Sequence, residues 1–232
     1  MTLASGAVHI HFYSLDVEEG ELKRLGGLLS PEESARAKRL LNPVVRSRFV
    51  AGRGGLRRLL APYLGKAPES LVFAEGEQGK PYFADAAEHG RLRFNLTHKH
   101  GRAALAISGG REVGVDLEEL RESIPYLKMA ERFFITEESD ELLILPPDEQ
   151  MAAFYRCWTR KEAYLKGLGT GLTRAANTFR VSVLPGELLL DDFQDPALKG
   201  RWTLHDIQVP EGYCAALAVE GTPRAFTCFP WT

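Results

Sequence analysis

The stretch Val113-Gly114-Val115-Asp116-Leu117-Glu118 decides how the rest of the chain is read. Its apolar residues fall at every second position, the period of a β-strand. Val113, Val115 and Leu117 then point to a core, while Gly114, Asp116 and Glu118 share the other face. Two carboxylates on one strand face repel each other unless a cation or basic group sits beside them, and the glycine leaves room for one. The plain alternative is a solvated edge strand.

Downstream, Ile124–Phe133 and Thr136–Leu143 read as helices, the second opened by a hydroxyl and two acids at Thr136-Glu137-Glu138. Pro146-Pro147-Asp148 opens a long helix through Lys166, closed by Gly167 and Gly169. Residues 179–184, 202–207, 214–219 and 226–229 read as strands. The upstream half has a similar order. Val8–Leu15 alternates, Ser30-Pro31-Glu32-Glu33 starts a helix to about Leu41, and Asn42-Pro43 starts a longer one that Gly65 stops. Leu71–Phe73 and Tyr82–Phe83 flank a turn-rich loop, followed by strands at Leu92–Leu96 and Ala103–Ile107. Ser108-Gly109-Gly110 marks the boundary, giving subdomains 1–108 and 109–232. Each half runs strand, capped helix, then a longer helix ending in Tyr-Leu near a glycine: Tyr63-Leu64-Gly65 and Tyr164-Leu165-Lys166-Gly167. That is a faint internal duplication and an α+β class with two similar α/β subdomains.

Composition bounds the function. The 232 residues are 44% hydrophobic and 26% charged, ordinary globular values, and the formal net charge is −2. The halves differ in sign: residues 1–110 hold 16 Lys/Arg against 11 Asp/Glu, and residues 111–232 hold 13 against 20. Nine basic residues and no acidic one lie between Ser34 and Pro68, which points to an anionic partner. No apolar run is long enough for a membrane span, and the N-terminal residues lack the pattern of a signal peptide. Three cysteines with no C-x-x-C pair fit reduced thiols, so a cytoplasmic protein is expected. His98-x-His100 is a close pair without further ligands at zinc spacing.

Candidate chemistry gathers in five patches. The carboxylate strand is one. The second is Trp158-Thr159-Arg160-Lys161-Glu162-Ala163-Tyr164-Leu165-Lys166, where Glu162 follows Trp158 by four residues on what reads as an apolar stripe. A carboxylate on a core stripe needs a cation or a proton; an exposed Glu162–Lys166 pair is the plain alternative. Phe94-Asn95-Leu96-Thr97-His98 ends a strand in polar groups, and Gln78-Gly79-Lys80-Pro81 presents one lysine on a turn. The fifth patch is the basic helix pair with Arg36, Lys38, Arg39, Arg46, Arg48, Arg53, Arg57 and Arg58. No aromatic residues are set between these arginines for base stacking, so nucleic acid is not the expected partner.

Taken together, the patches resemble the 4′-phosphopantetheinyl transferases, in particular the pseudo-dimeric class of the surfactin synthetase activator. The family's G-[IV]-D-x-E strand stands here as Gly114-Val115-Asp116-Leu117-Glu118. Its F/W-x-x-K-E-[AS]-x-x-K helix stands as Trp158 to Lys166, about 40 residues on. Gly79-Lys80-Pro81 and Asn95-Leu96-Thr97-His98 also match, with Thr97 where serine is usual. The resemblance covers roughly Ser30 to Leu172. It implies two α+β halves with the active site in the cleft between them. The implied reaction is transfer of the 4′-phosphopantetheine arm of coenzyme A to a serine hydroxyl of an apo acyl or peptidyl carrier protein, releasing adenosine 3′,5′-bisphosphate. Fatty-acid, polyketide and nonribosomal-peptide carriers all remain open.

By the same resemblance, Asp116, Glu118 and Glu162 hold magnesium (manganese is a substitute), and Glu162 and Lys166 are catalytic. Asp116, Lys161 and Lys166 also lie on the coenzyme, Thr97 and His98 at its 3′-phosphate, and Lys80 and Pro81 beside the adenine. Arg36 is a further coenzyme contact, with Arg48 and Arg53 as neighbours. The carrier contact is expected to be transient and the protein a monomer, since one chain carries both halves.

Overall fold

The computed structural model describes residues 2–186, 188 and 190–230. In chain order the elements are β1 (Ala7–Ser14), α1 (Glu19–Gly26), α2 (Pro31–Arg39), α3 (Pro43–Leu64), β2 (Phe73–Glu75), β3 (Pro81–Phe83), α4 (Ala86–Arg91), β4 (Arg93–Lys99) and β5 (Arg102–Ser108). There follow β6 (Val113–Glu119), α5 (Tyr126–Phe133), α6 (Thr136–Ile144), α7 (Pro147–Leu168), β7 (Phe179–Val181), β8 (Leu190–Asp192), β9 (Trp202–Ile207), β10 (Tyr213–Glu220) and β11 (Ala225–Phe229). The class is α+β with two similar helix-and-sheet halves. Helices α1 and α4 and strand β8 lack an expectation from the sequence.

Two compact units divide the chain: Met1–Glu75 with Pro81–Gly110 and Arg224–Thr232, and Gly76–Lys80 with Arg111–Pro223. These units differ from a single cut after Ser108 in residues 76–80, 109–110 and 224–232. Strand β11, expected in the second half, pairs in parallel with β1 from Ala7↔Ala225 to His11↔Phe229. It completes the first sheet, in the order β11-β1-β5-β4. The loop 76–80 between β2 and β3 belongs to the second unit.

In the first unit, Ser30 and Glu33 form a reciprocal capping box at the start of α2: the Ser30 hydroxyl accepts from the Glu33 N–H and the Glu33 carboxylate from the Ser30 N–H. Asn42 caps α3, and Gly65 ends it in the left-handed region at φ 66°. Leu56, Leu60 and Tyr63 of α3 share a core with Tyr13, Phe94, Leu105 and Ile107. Close approach is built in: a Cβ on Gly55 would lie 2.6 Å from the Tyr13 ring.

In the second unit, α7 packs on the sheet β6-β10-β9. The face it covers carries Gly114, Ala216 and Ala218, small enough for the helix to sit close. The cap of α6 differs from expectation: Ile135 holds the N-cap position, and its N–H donates to the Glu138 carboxylate at 3.0 Å. Thr136 is already helical. Arg160, fully buried, makes a bidentate pair with Asp206 at 2.8 and 2.6 Å and donates to the Ser182 carbonyl at 2.6 Å. Among the described residues, no helix is long and apolar enough to cross a membrane.

Candidate active site

The site begins with Gly114. A Cβ there would lie 2.0 Å from the Ala163 carbonyl oxygen and 2.3 Å from the Gly167 nitrogen, so α7 can rest on β6 only because residue 114 has none. Two residues on, Asp116 shares that face and is 3% exposed, which rules out the solvated edge. The Lys166 ammonium meets its carboxylate at 2.5 Å. Strand and helix thus join a buried acid to a half-buried base 50 positions away. Glu118, next on the same face, is partly exposed.

Glu162 is not where the stripe places it. Helix α7 is covered on most of its circumference, and the partly open positions include Trp158, Glu162 and Lys166, one turn apart in series. Its neighbours Thr159, Arg160 and Lys161 are the buried ones. A half-open Glu162 is accessible to substrate and does not need a buried partner to be tolerated.

Lys161 is 1% exposed, and its ammonium lies 2.8 Å from the Glu138 carboxylate, 2.8 Å from the Ala176 carbonyl and 2.7 Å from that of Phe179. Its three donors thus meet acceptors inside the unit, the surroundings of a packing residue. Burial holds the Glu138 carboxyl above its ordinary range in spite of the ammonium. Burial likewise pushes the Cys157 thiol far up, which removes it as a nucleophile.

Lys80 is also engaged by the protein. Its ammonium donates to Glu112 at 3.1 Å, to the Gly167 carbonyl at 3.0 Å and to the Val113 carbonyl at 3.3 Å. It ties loop 76–80 to the start of β6 and the end of α7. Pro81 is half-buried and opens β3 opposite Glu75.

In the first unit, Thr97 is buried and His98 exposed, on opposite faces of β4. Arg48 forms a two-pronged pair with Asp16 at 2.6 and 2.8 Å, which holds the Asp16 carboxyl below its usual range. Arg53 meets Glu75 at 2.9 Å, and Arg36 reaches the same carboxylate at 3.7 Å with its guanidinium over Phe49. These acidic partners, Asp16 and Glu75, escaped the sequence reading because they lie 32 and 22 positions from Arg48 and Arg53.

No cluster of three or more metal-ligating side chains is gathered among the described residues. The donors fit a hard divalent cation in kind: Asp116 and Glu118 offer carboxylate oxygens from one strand face, and magnesium takes one or two such ligands with phosphate oxygens and water.

Comparison with known proteins accords with this chemistry. A family model described as the 4′-phosphopantetheinyl transferase superfamily matches residues 112–218. The 4′-phosphopantetheinyl transferase HetI of Nostoc sp. is 38% identical over 95% of this chain and 91% of its own. A phosphopantetheinyl transferase of Thraustochytrium sp. is 30% identical over 85% of this chain and 72% of its own. A 4′-phosphopantetheinyl transferase of Bacillus subtilis is 28% identical over 70% of each chain. The chain belongs to the 4′-phosphopantetheinyl transferase superfamily, in its two-halved, surfactin-synthetase-activator type.

Proposed function

We infer that this protein transfers the 4′-phosphopantetheine arm of coenzyme A to a serine hydroxyl of an apo carrier protein and releases adenosine 3′,5′-bisphosphate. The observation that carries the reading is the Asp116–Lys166 pair, a buried acid and a half-open base joined at 2.5 Å beside Glu162. Each partner neutralises the other. A cation offered to Asp116 and a pyrophosphate offered to Lys166 replace that neutralisation at both ends, so the pair is a receptor for the two together.

Asp116 and Glu118, with Glu162, are the residues to hold magnesium. When bound, the metal supplies charge stabilisation to the pyrophosphate as the leaving group departs. Lys166 places a point charge on the phosphate oxygens. Glu162 accepts the proton of the carrier serine, directly or through water, or orients that hydroxyl. His98 reaches the 3′-phosphate, with Thr97 beside it on the strand, and Arg36, Arg48 and Arg53 supply the positive field. Pro81, at the start of β3, is the adenine neighbour. The chain acts as a monomer in the cytoplasm.

Incubation with coenzyme A, magnesium and a panel of apo acyl and peptidyl carrier proteins is expected to add about 340 Da to a carrier, the mass of one covalent arm. The Glu162→Gln variant is expected to keep the fold and to lose turnover by about 100-fold or more. No mass gain on any carrier overturns the reading, and near-wild-type turnover in the variant removes Glu162 from the mechanism.

A further inference from the structure

The nine basic residues between Ser34 and Pro68 are not equivalent. Six meet a carboxylate: Arg36 and Arg53 at Glu75, Arg48 at Asp16, Arg57 at Glu33, Arg58 at Glu21 and Lys66 at Glu88. Arg57 is fully absorbed, since it also donates to the Leu71 and Pro68 carbonyls at 2.7 and 3.1 Å. The other three, Lys38, Arg39 and Arg46, are exposed and form no ion pair among the described residues. All three fall within nine residues, on the corner where α2 ends and α3 begins.

The same corner exposes aliphatic side chains. Leu41 is 90% exposed, Val44 54% and Val45 50%. The corner itself is well made: Asn42 accepts from the Val44 and Val45 N–H groups at 2.9 and 3.2 Å, and Arg46 donates to the Leu40 carbonyl at 2.9 Å. A fixed turn that shows three aliphatic side chains ringed by three uncompensated cations has the anatomy of an interface core with a charged rim.

We propose that this α2–α3 corner is the surface that docks the acidic apo carrier protein. The proposal rests on the transferase reading and names the partner surface it lacked. Charge complementarity selects the occupant: a partner must bring carboxylates to Lys38, Arg39 and Arg46 and an apolar contact to Leu41, Val44 and Val45. A nucleic acid satisfies the first requirement and not the second. A second copy of this chain would set the cations against themselves if the corner met its own symmetry mate. The corner also adjoins the residues assigned to the coenzyme. Arg48 lies one helical turn, about 6 Å, beyond Val44 on α3, so a carrier seated here is held beside the arm donor.

The test separates docking from catalysis. Binding of apo carrier proteins from the same panel is measured by titration without coenzyme A, and holo-carrier formation is measured separately by intact mass. The charge-reversed variant Lys38→Glu/Arg39→Glu and the variant Leu41→Ser are each expected to weaken carrier binding and raise the carrier KM by about tenfold, with kcat and the coenzyme KM within twofold of wild type. None of the three side chains is packed in the core, and unchanged melting temperatures establish that both variants fold. The affinity of wild type is expected to fall with added salt, and that of the charge-reversed variant to fall less. Equal carrier binding by wild type and both variants overturns the docking surface while holo-carrier formation leaves the transferase reading intact. Carrier binding without any mass gain overturns the transferase reading alone. No carrier binding by wild type, or loss of self-association in the variants as their main effect, also overturns the docking proposal.

Discussion

Lys161 and Glu162 are adjacent in sequence and end in opposite surroundings, because one step along a helix turns the side chain through roughly 100°. The step carries Lys161 into the core against Glu138 and leaves Glu162 on the partly open line with Trp158 and Lys166. Packing gives this lysine a structural task, whatever the motif around it does. The Lys161→Ala variant strands a fully buried Glu138 carboxylate and is expected to cost about 3–5 kcal/mol in urea unfolding. Lys161→Met combined with Glu138→Gln removes both charges and keeps an acceptor for one of the Ile135 and Val181 N–H groups, which Glu138 now binds through its two oxygens. It is expected to recover part of that loss. Coenzyme affinity of the folded single variant is expected to match wild type; weakened coenzyme with unchanged stability would return Lys161 to the site.

At the scale of elements, the contact of β6 with α7 decides whether a site exists, and Gly114 decides the contact. Gly114→Ala puts a methyl group where the Ala163 carbonyl and the Gly167 nitrogen already are. Backbone cannot yield as a side-chain tip does, so strand and helix must part. The expected outcome is a loss of about 2–3 kcal/mol or more in stability and a fall in kcat larger than any change in the carrier KM. A variant with wild-type kcat would mean that the Asp116–Lys166 distance is immaterial. Much of this arrangement was legible in the sequence. Alternation placed β6, the proline and acid signals placed α2 and α3, and glycines closed the long helices, because each of these is decided by neighbours in the chain. What was not legible depends on partners far away in sequence. The burial of Lys161 is decided by Glu138 and by the carbonyls after α7, and the role of Lys80 by Glu112 and Gly167. Strand β11 reads as a strand but carries no signal of its partner, and only pairing shows that it closes the first sheet on β1.

At the scale of the whole molecule, the strongest acid-sensitive histidine lies in the first unit, with a weaker one, His205, in the second, its pKa also lowered by burial. In the first, the Tyr63 hydroxyl lies 2.7 Å from the His9 ring nitrogen and 2.8 Å from that of His11, and His11 stacks on Phe229 of β11 at 4.2 Å. Burial, with the nearby His9, pulls the His11 pKa down to about 4, and burial lowers that of His9 as well. A histidine whose folded pKa is depressed binds its proton more readily in the unfolded chain. The stability it lends is complete above about 6.5 and is lost as the pH falls toward 4. In the second unit, burial raises the Glu138 carboxyl, so the folded state takes up a proton before the unfolded one, and this group lends no stability that mild acid removes. Hydrogen exchange read segment by segment, corrected for intrinsic rates, is therefore expected to lose more protection in β1 and β11 than in β6 and β10 between pH 7.5 and pH 5. Replacement His11→Phe, which keeps a ring against Phe229 and cannot take a proton, is expected to flatten the loss in β1 and β11. Parallel loss in both sheets, or an unchanged slope in the variant, would show that the histidine pair does not set the acid response.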